Sequence, residues 1–184
     1  MERGTAKRLG ARWLLPLLGL LQLCATAGAQ EVSEYQVKAA YVYNFAKFVD
    51  WPAQVFADAA APFHMCVLNN RSFESTLQHM VLGKTIAGRS ISVAGVQNGE
   101  QSRGCQILFI PSSQNKLGQR MVEDLQGQSV LTVGETKGFL EDGGIINFVW
   151  EDDRVQFQVN HRGASQAGLR VSSRLLSLAR LVIE

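Results

Sequence analysis

A three-layer α/β sandwich, with a mixed, mostly parallel sheet carrying helices on both faces, is the fold this sequence predicts. Three observations point to it. Between Phe63 and Val133, apolar runs of strand length alternate with amphipathic stretches of helix length. Two further runs, Gly144–Trp150 and Arg154–Asn160, then follow one another directly, as a hairpin does. An aromatic-rich amphipathic helix stands in front of them all.

That first helix lies in Tyr35–Pro52, YQVKAAYVYNFAKFVDWP. Helical spacing puts Val37, Tyr41, Phe45 and Phe48 on one side, flanked by Val42 and Val49, with Gln36, Tyr43, Lys47 and Asp50 opposite. Pro52 biases Trp51 away from helical angles and ends the helix there. A face with this many aromatic rings needs a large apolar surface to press against.

A turn-rich stretch with Asp58 and Pro62 leads to the strand Phe63–Leu68, and Ser72 is expected to cap a helix running to about Leu82. Gly83 and Gly88 bracket a turn before the alternating strand Ile91–Val96, and Gln97–Gly104 reads as a polar loop. Cys105–Ile110 is a continuous apolar strand closed by Pro111. Ser112 or Ser113 then caps a helix to about Gln126, which Gly127 ends. Ser129–Val133 is a strand again, followed by a helical turn or loop over Thr136–Asp142.

In the hairpin, turning at Glu151-Asp152-Asp153, Val155, Phe157 and Val159 alternate with Gln156 and Gln158, the pattern of a strand exposed on one face. The nearly all-apolar first arm belongs inside the sheet. A final helix is expected over Ala164–Ile183, burying Leu169, Leu175, Leu176, Ala179 and Val182.

The amino-terminal end reads as an export signal. Arg3, Lys7, Arg8 and Arg12 precede the apolar run Trp13–Cys24, and Ala27-Gly28-Ala29 offers small residues where a signal peptidase reads. The run is too short for a membrane span, which needs roughly twenty residues. Residues 1–29 are therefore expected to be a cleaved secretory signal and 30–184 a single α/β domain, placed in the periplasm. Four of the 18 Lys+Arg and one of the 16 Asp+Glu lie before residue 30, leaving a formal charge of −1. No basic cluster remains to argue for nucleic acid.

Export gives the two remaining cysteines a meaning. Cys66 and Cys105 sit in apolar runs that read as neighbouring strands, and an even count in an oxidising compartment favours a disulfide. Two buried free thiols or a redox pair are the competing readings.

Catalytic patterns are scarce. Gly83-Lys84-Thr85 imitates the end of a phosphate-binding loop, but Gln78 stands where the motif needs glycine. His64, His79 and His161 have no partner at metal-ligand spacing, and no GxSxG or SxxK occurs. Asp152 and Asp153 read as turn formers. The chain is expected to be no enzyme and to need no cofactor or metal. Candidate ligand-binding residues remain at the carboxyl ends of the strands: Asn69, Ser112, Ser113, Glu135 and Thr136. They support a small-ligand-binding sensor module as the alternative to a protein-binding regulator.

Four segments resemble the YfiR/HmsC-like family of exported bacterial regulators: the first-helix stretch Tyr35–Pro52, CQILFIPSS, VLTVGETKGFLEDGGIINFVWEDDRVQFQVN and GLRVSSRLLSLARLV. They cover nearly all of the chain after residue 30, in the family's order, with Cys105 as the second cysteine of the family's pair. The resemblance implies a periplasmic repressor that binds the sensor region of an inner-membrane diguanylate cyclase and so restrains cyclic-di-GMP signalling and biofilm formation. It also implies sequestration by an OmpA-like outer-membrane lipoprotein, and self-association as a homodimer. Some members carry a second cysteine pair around the loop before the hairpin. Residues 137–147 here contain no cysteine, so control through that bond is absent.

Overall fold

The apolar runs become strands, and their pairing builds one large sheet. The computed structural model describes residue 1 and residues 27–184, with side chains from residue 34 onward. In chain order the elements are α1 (Ala27–Phe48), β1 (Val49–Asp50), β2 (Phe63–Leu68), α2 (Arg71–Val81), β3 (Thr85–Ile86), β4 (Arg89–Val96), α3 (Gly99–Ser102), β5 (Ile107–Ile110), α4 (Asn115–Asp124), β6 (Leu131–Gly134), β7 (Ile146–Glu151), β8 (Arg154–Asn160), α5 (His161–Gln166), β9 (Arg170–Val171), α6 (Ser173–Leu176) and β10 (Leu181–Ile183). The expected export signal lies, over residues 2–26, outside the described residues.

The eight-stranded sheet has the order β10-β8-β7-β6-β5-β2-β4-β3. Its centre, from β4 through β2, β5 and β6 to β7, is parallel. β8 returns antiparallel to β7, β10 runs parallel to β8, and β3 folds back on β4. Both antiparallel returns use two-residue turns with positive φ, Ala87-Gly88 and Asp152-Asp153. Such turns match the twist of the strands they join.

Residues buried on opposite sides of the same strands separate two cores. On one side Phe63, Met65, Val67, Ile107, Phe109, Phe148 and Phe157 meet α1, α2, α5 and α6. On the other, Cys66, Leu68, Leu108 and Ile110 meet Met121 and Val122 of α4 and Leu125 just past its end, together with Phe139 and Leu140. This is the expected three-layer arrangement. Cys66 and Cys105 are joined in a disulfide with Cα atoms 6.0 Å apart, on the α4 side of the sheet. Bridging a separation of 39 residues contributes about 4 kcal/mol through lost entropy of the unfolded chain.

The carboxyl-terminal segment departs from expectation. In place of one helix over 164–183 it forms α5, β9, α6 and β10. Gly168, at φ +72°, ends α5, and Ser172 caps α6 by accepting from the Leu175 N–H. Two non-local pairings replace the missing helical turns: Val171 with Val49, and Val182 with Val159.

Boundaries shift elsewhere for local reasons. α1 ends at Phe48, before Trp51, because Val49–Asp50 is recruited into the β1–β9 pair. Its buried stripe runs Lys38, Ala39, Val42, Phe45 and Ala46, continues into Val49 of β1, and leaves Val37 exposed. Asn70 caps α2 in place of Ser72, its side chain accepting from the Phe73 N–H at 2.9 Å. The loop after β4 contains the single turn α3, capped by Asn98. Neither Ser112 nor Ser113 caps α4, since both lie in a 3-10 turn ahead of it.

Phe139 is held between two glycines. A Cβ on Gly144 would stand 2.2 Å from its ring and 2.6 Å from its carbonyl oxygen, and one on Gly134 would stand 2.5 Å from the ring. Gly144→Ala should therefore destabilise the protein by about 1–3 kcal/mol in urea unfolding. Gly104→Ala, which meets nothing within 4 Å, should change it by less than about 0.5 kcal/mol. Equal effects at the two sites would refute this packing.

Candidate functional site

In the parallel part of the sheet, the first strand is flanked by the second on one side and by the third on the other. β2 lies between β4 and β5, so the chain changes direction across the sheet at the β2–β5 boundary. In such sheets the loops at the carboxyl ends of the strands diverge there and leave a crevice. The loops at this end carry Asn69 and Asn70 after β2, Ser112 after β5 and Glu135 after β6.

Here the opening half of α1 leans across that end. Tyr35 packs edge-on against Phe73 with ring centres 5.5 Å apart, and its hydroxyl accepts from Asn70 Nδ2 at 3.0 Å. One turn further on, the Lys38 ammonium is buried and donates to Glu135 Oε2 at 2.5 Å. It pairs also with Glu34. The other oxygen of Glu135 accepts from the Ser112 N–H at 2.8 Å and from the Ser112 hydroxyl at 3.1 Å. A cavity of about 310 Å³ lies over this cluster, with Tyr35, Phe148 and the half-exposed Trp150 in its walls.

Of the five residues expected to line a ligand site, the structure brings together Ser112 and Glu135. Asn69, at φ +44°, lies apart and donates to Gln114 Oε1 at 3.3 Å. Ser113 is exposed and Thr136 half-buried, and neither lines the Lys38 cavity. Sequence reasoning missed Lys38, Glu34 and Trp150. The i,i+4 spacing of Glu34 and Lys38 was readable, but their partner Glu135 lies 97 residues beyond Lys38.

The electrostatics favour holding over reacting. Burial pushes the Lys38 ammonium down, but the hydrogen bonds and charges of Glu135 and Glu34 outweigh it and hold the group above the usual lysine value of 10.5. Lys38 is thus a fixed cation and Glu135 an acceptor whose two oxygens are both engaged. Neither is poised as a base. Cys66 and Cys105 are consumed in their disulfide, His79 is exposed, and His161 faces Glu184 at 3.2 Å near the surface. No group of three His, Cys, Asp or Glu positioned to hold a metal ion occurs among the described residues. The arrangement clamps α1 to the strand ends and presents a polar recess with an aromatic wall.

A family model described as YfiR/HmsC-like matches residues 35–180. Among solved structures, a conserved domain protein from Vibrio cholerae is similar with a TM-score of 0.54 at 9% identity, over 80% of this chain and 60% of that one. The ABC domain from Streptococcus pneumonia, solved in complex with L-Trp, is similar with a TM-score of 0.52 at 11% identity, over 82% of this chain and 60% of that one. The chain thus spans 60% of the length of each, and at these identities the likeness is one of fold. No curated protein matches it.

The clamp makes a pH-dependent prediction. Lys38→Met strands Glu135, whose side chain is 9% exposed, and should cost about 3–5 kcal/mol in urea unfolding at neutral pH. Because the folded pKa of Lys38 is raised, its contribution is complete below about pH 10.5 and is lost as pH climbs through the higher folded value. The stability gap between wild type and Lys38→Met should therefore stay constant from neutral pH to about pH 10 and narrow beyond the usual lysine range. A gap that narrows already between about pH 6 and 9 would refute it.

Proposed function

The chain belongs to the YfiR/HmsC-like family, and on that premise we propose that it is an exported regulator that restrains a membrane-bound diguanylate cyclase by binding the cyclase's periplasmic sensor region. The observation that carries the reading is the family match over residues 35–180, which takes in every strand of the large sheet up to β8 and both cysteines of the disulfide. The short basic and apolar opening of the sequence supports export. A fold held by the Lys38–Glu135 clamp and a disulfide suits a protein that acts by being bound.

No chemistry is required of such a protein. A sensor region that exchanges between two conformations is biased by any partner that binds one more tightly. Moving the equilibrium from about 1:99 to 99:1 takes roughly a 10⁴-fold difference in affinity. Release then needs only a competitor for the same protein, and an OmpA-like lipoprotein of the outer membrane is the competitor proposed here. Self-association as a homodimer belongs to the same reading.

Deletion of the gene in its native host should raise cyclic-di-GMP and surface attachment several-fold. The full-length gene should restore both. A copy lacking residues 1–29, which remains in the cytoplasm, should not. Unchanged cyclic-di-GMP in the deletion strain would reject the cyclase as target, and full complementation by the truncated copy would reject a periplasmic site of action.

A further inference from the structure

The corner where α2 ends beside the last turns of α1 displays a side chain that the fold does not use. Leu82 is 82% exposed. It occupies the second position of a tight turn in which the Lys84 N–H donates to the Val81 carbonyl at 2.9 Å. With Leu82 at φ −55° and ψ 125° and Gly83 at φ +71°, this is a type II turn. The turn holds the leucine outward on a hydrogen-bonded frame.

A single exposed leucine is ordinary, but its surroundings are not neutral. Lys84 folds back so that its ammonium lies 4.7 Å from the centre of the Tyr43 ring, with Met80 Sδ 3.6 Å away. Lys47, one turn along α1 from Tyr43, sets a second ammonium 5.4 Å from the same ring centre. No aspartate or glutamate occurs in residues 39–49 or 75–88, and Asp50 is paired with Arg170 at 3.5 Å. The corner is thus a preset apolar tip beside two cations anchored on one aromatic ring. It carries positive charge on a chain whose remainder after residue 30 is slightly acidic.

We propose that this corner is the docking surface for an acidic segment of a partner protein, with Leu82 entering an apolar socket rimmed by carboxylates that pair with Lys47 and Lys84. The proposal rests on the regulatory reading above and gives the partner its chemistry. Charge complementarity selects an acidic partner and repels a basic one. A backbone already fixed by its turn loses little freedom on binding, so the turn offers the leucine from an ordered frame. An anionic bilayer is the poorer fit, because even a whole myristoyl chain gives only marginal, reversible membrane binding and this tip offers one leucine.

The test places a photoreactive residue at the tip of the full chain in its native host, Leu82→p-benzoyl-phenylalanine, and maps the adducts by mass spectrometry. The expected result is an adduct with an Asp/Glu-rich extracytoplasmic segment of a membrane protein, reduced on the order of tenfold by Lys47→Glu with Lys84→Glu. The same group at exposed Leu178 should give no such adduct. Adducts with phospholipid or with a second copy of the chain would overturn the proposal. So would the lack of any adduct at position 82 in cells whose cyclic-di-GMP responds to deletion of the gene, a result that leaves the regulatory reading standing. An acidic-segment adduct in cells whose cyclic-di-GMP ignores the deletion would keep the surface and remove the cyclase.

Discussion

Phe45 is the contact on which the rest of the arrangement depends. It is completely buried in the last turn of α1, with ring centres 5.7 Å from Phe148 and 5.1 Å from Phe157, and Tyr41 joins the same group at 5.9 Å. Aromatic pairs at these separations add about 0.5–1.5 kcal/mol each beyond the area they bury. The first helix is thereby fixed on the terminal hairpin, more than 100 residues away in sequence. Because a helix is stiff, one anchored ring settles the positions of its other side chains. Lys38, two turns earlier, reaches the strand ends and Glu135. Tyr43 turns to the α2 corner, where Lys47 and Lys84 gather on it.

Two stretches of α1 therefore do different work. At the strand ends the Lys38–Glu135–Glu34 cluster ties α1 across the carboxyl end of the parallel sheet and lines the recess there. A buried ion pair of this kind is poor evidence for added stability over apolar packing, yet expensive to break from one side. Its consequence is register: α1 has one place to sit. At the other corner the helix contributes to a surface whose features, an outward leucine and two fixed ammonium groups, add nothing to the core. On the proposed account the first property makes the protein a dependable rigid body, and the second gives a partner something to grip.

Much of this fold was legible in the sequence. The strands at Phe63–Leu68 and Arg154–Asn160, and the Ile107–Ile110 part of the run from Cys105, were plain because runs buried on both faces of a sheet must be continuously apolar, and half-covered ones must alternate. The carboxyl-terminal segment misled for the converse reason. Leu169, Leu175, Leu176, Ala179 and Val182 fall at spacings that a helix also satisfies, but Gly168 breaks the backbone and pairing with Val49 and Val159 redirects it. Pairings set by distant partners leave little trace in local spacing. The Lys38 clamp was hidden in the same way, since a lysine on a helix reads as solvent-facing until the carboxylate that buries it is known. Ser112 and Glu135 were picked out by position at the strand ends, and they do meet, though with each other and Lys38.

The central claim is that this protein acts by binding a membrane cyclase and needs no chemistry of its own. The most direct measurement reconstitutes the cyclase whose output changes in the deletion strain into nanodiscs and titrates it with the purified, oxidised chain while cyclic-di-GMP formation is followed. The account predicts a saturable fall in turnover to a low plateau, with no covalent change in either protein. Turnover that stays constant as the protein is raised well above the cyclase concentration would contradict it.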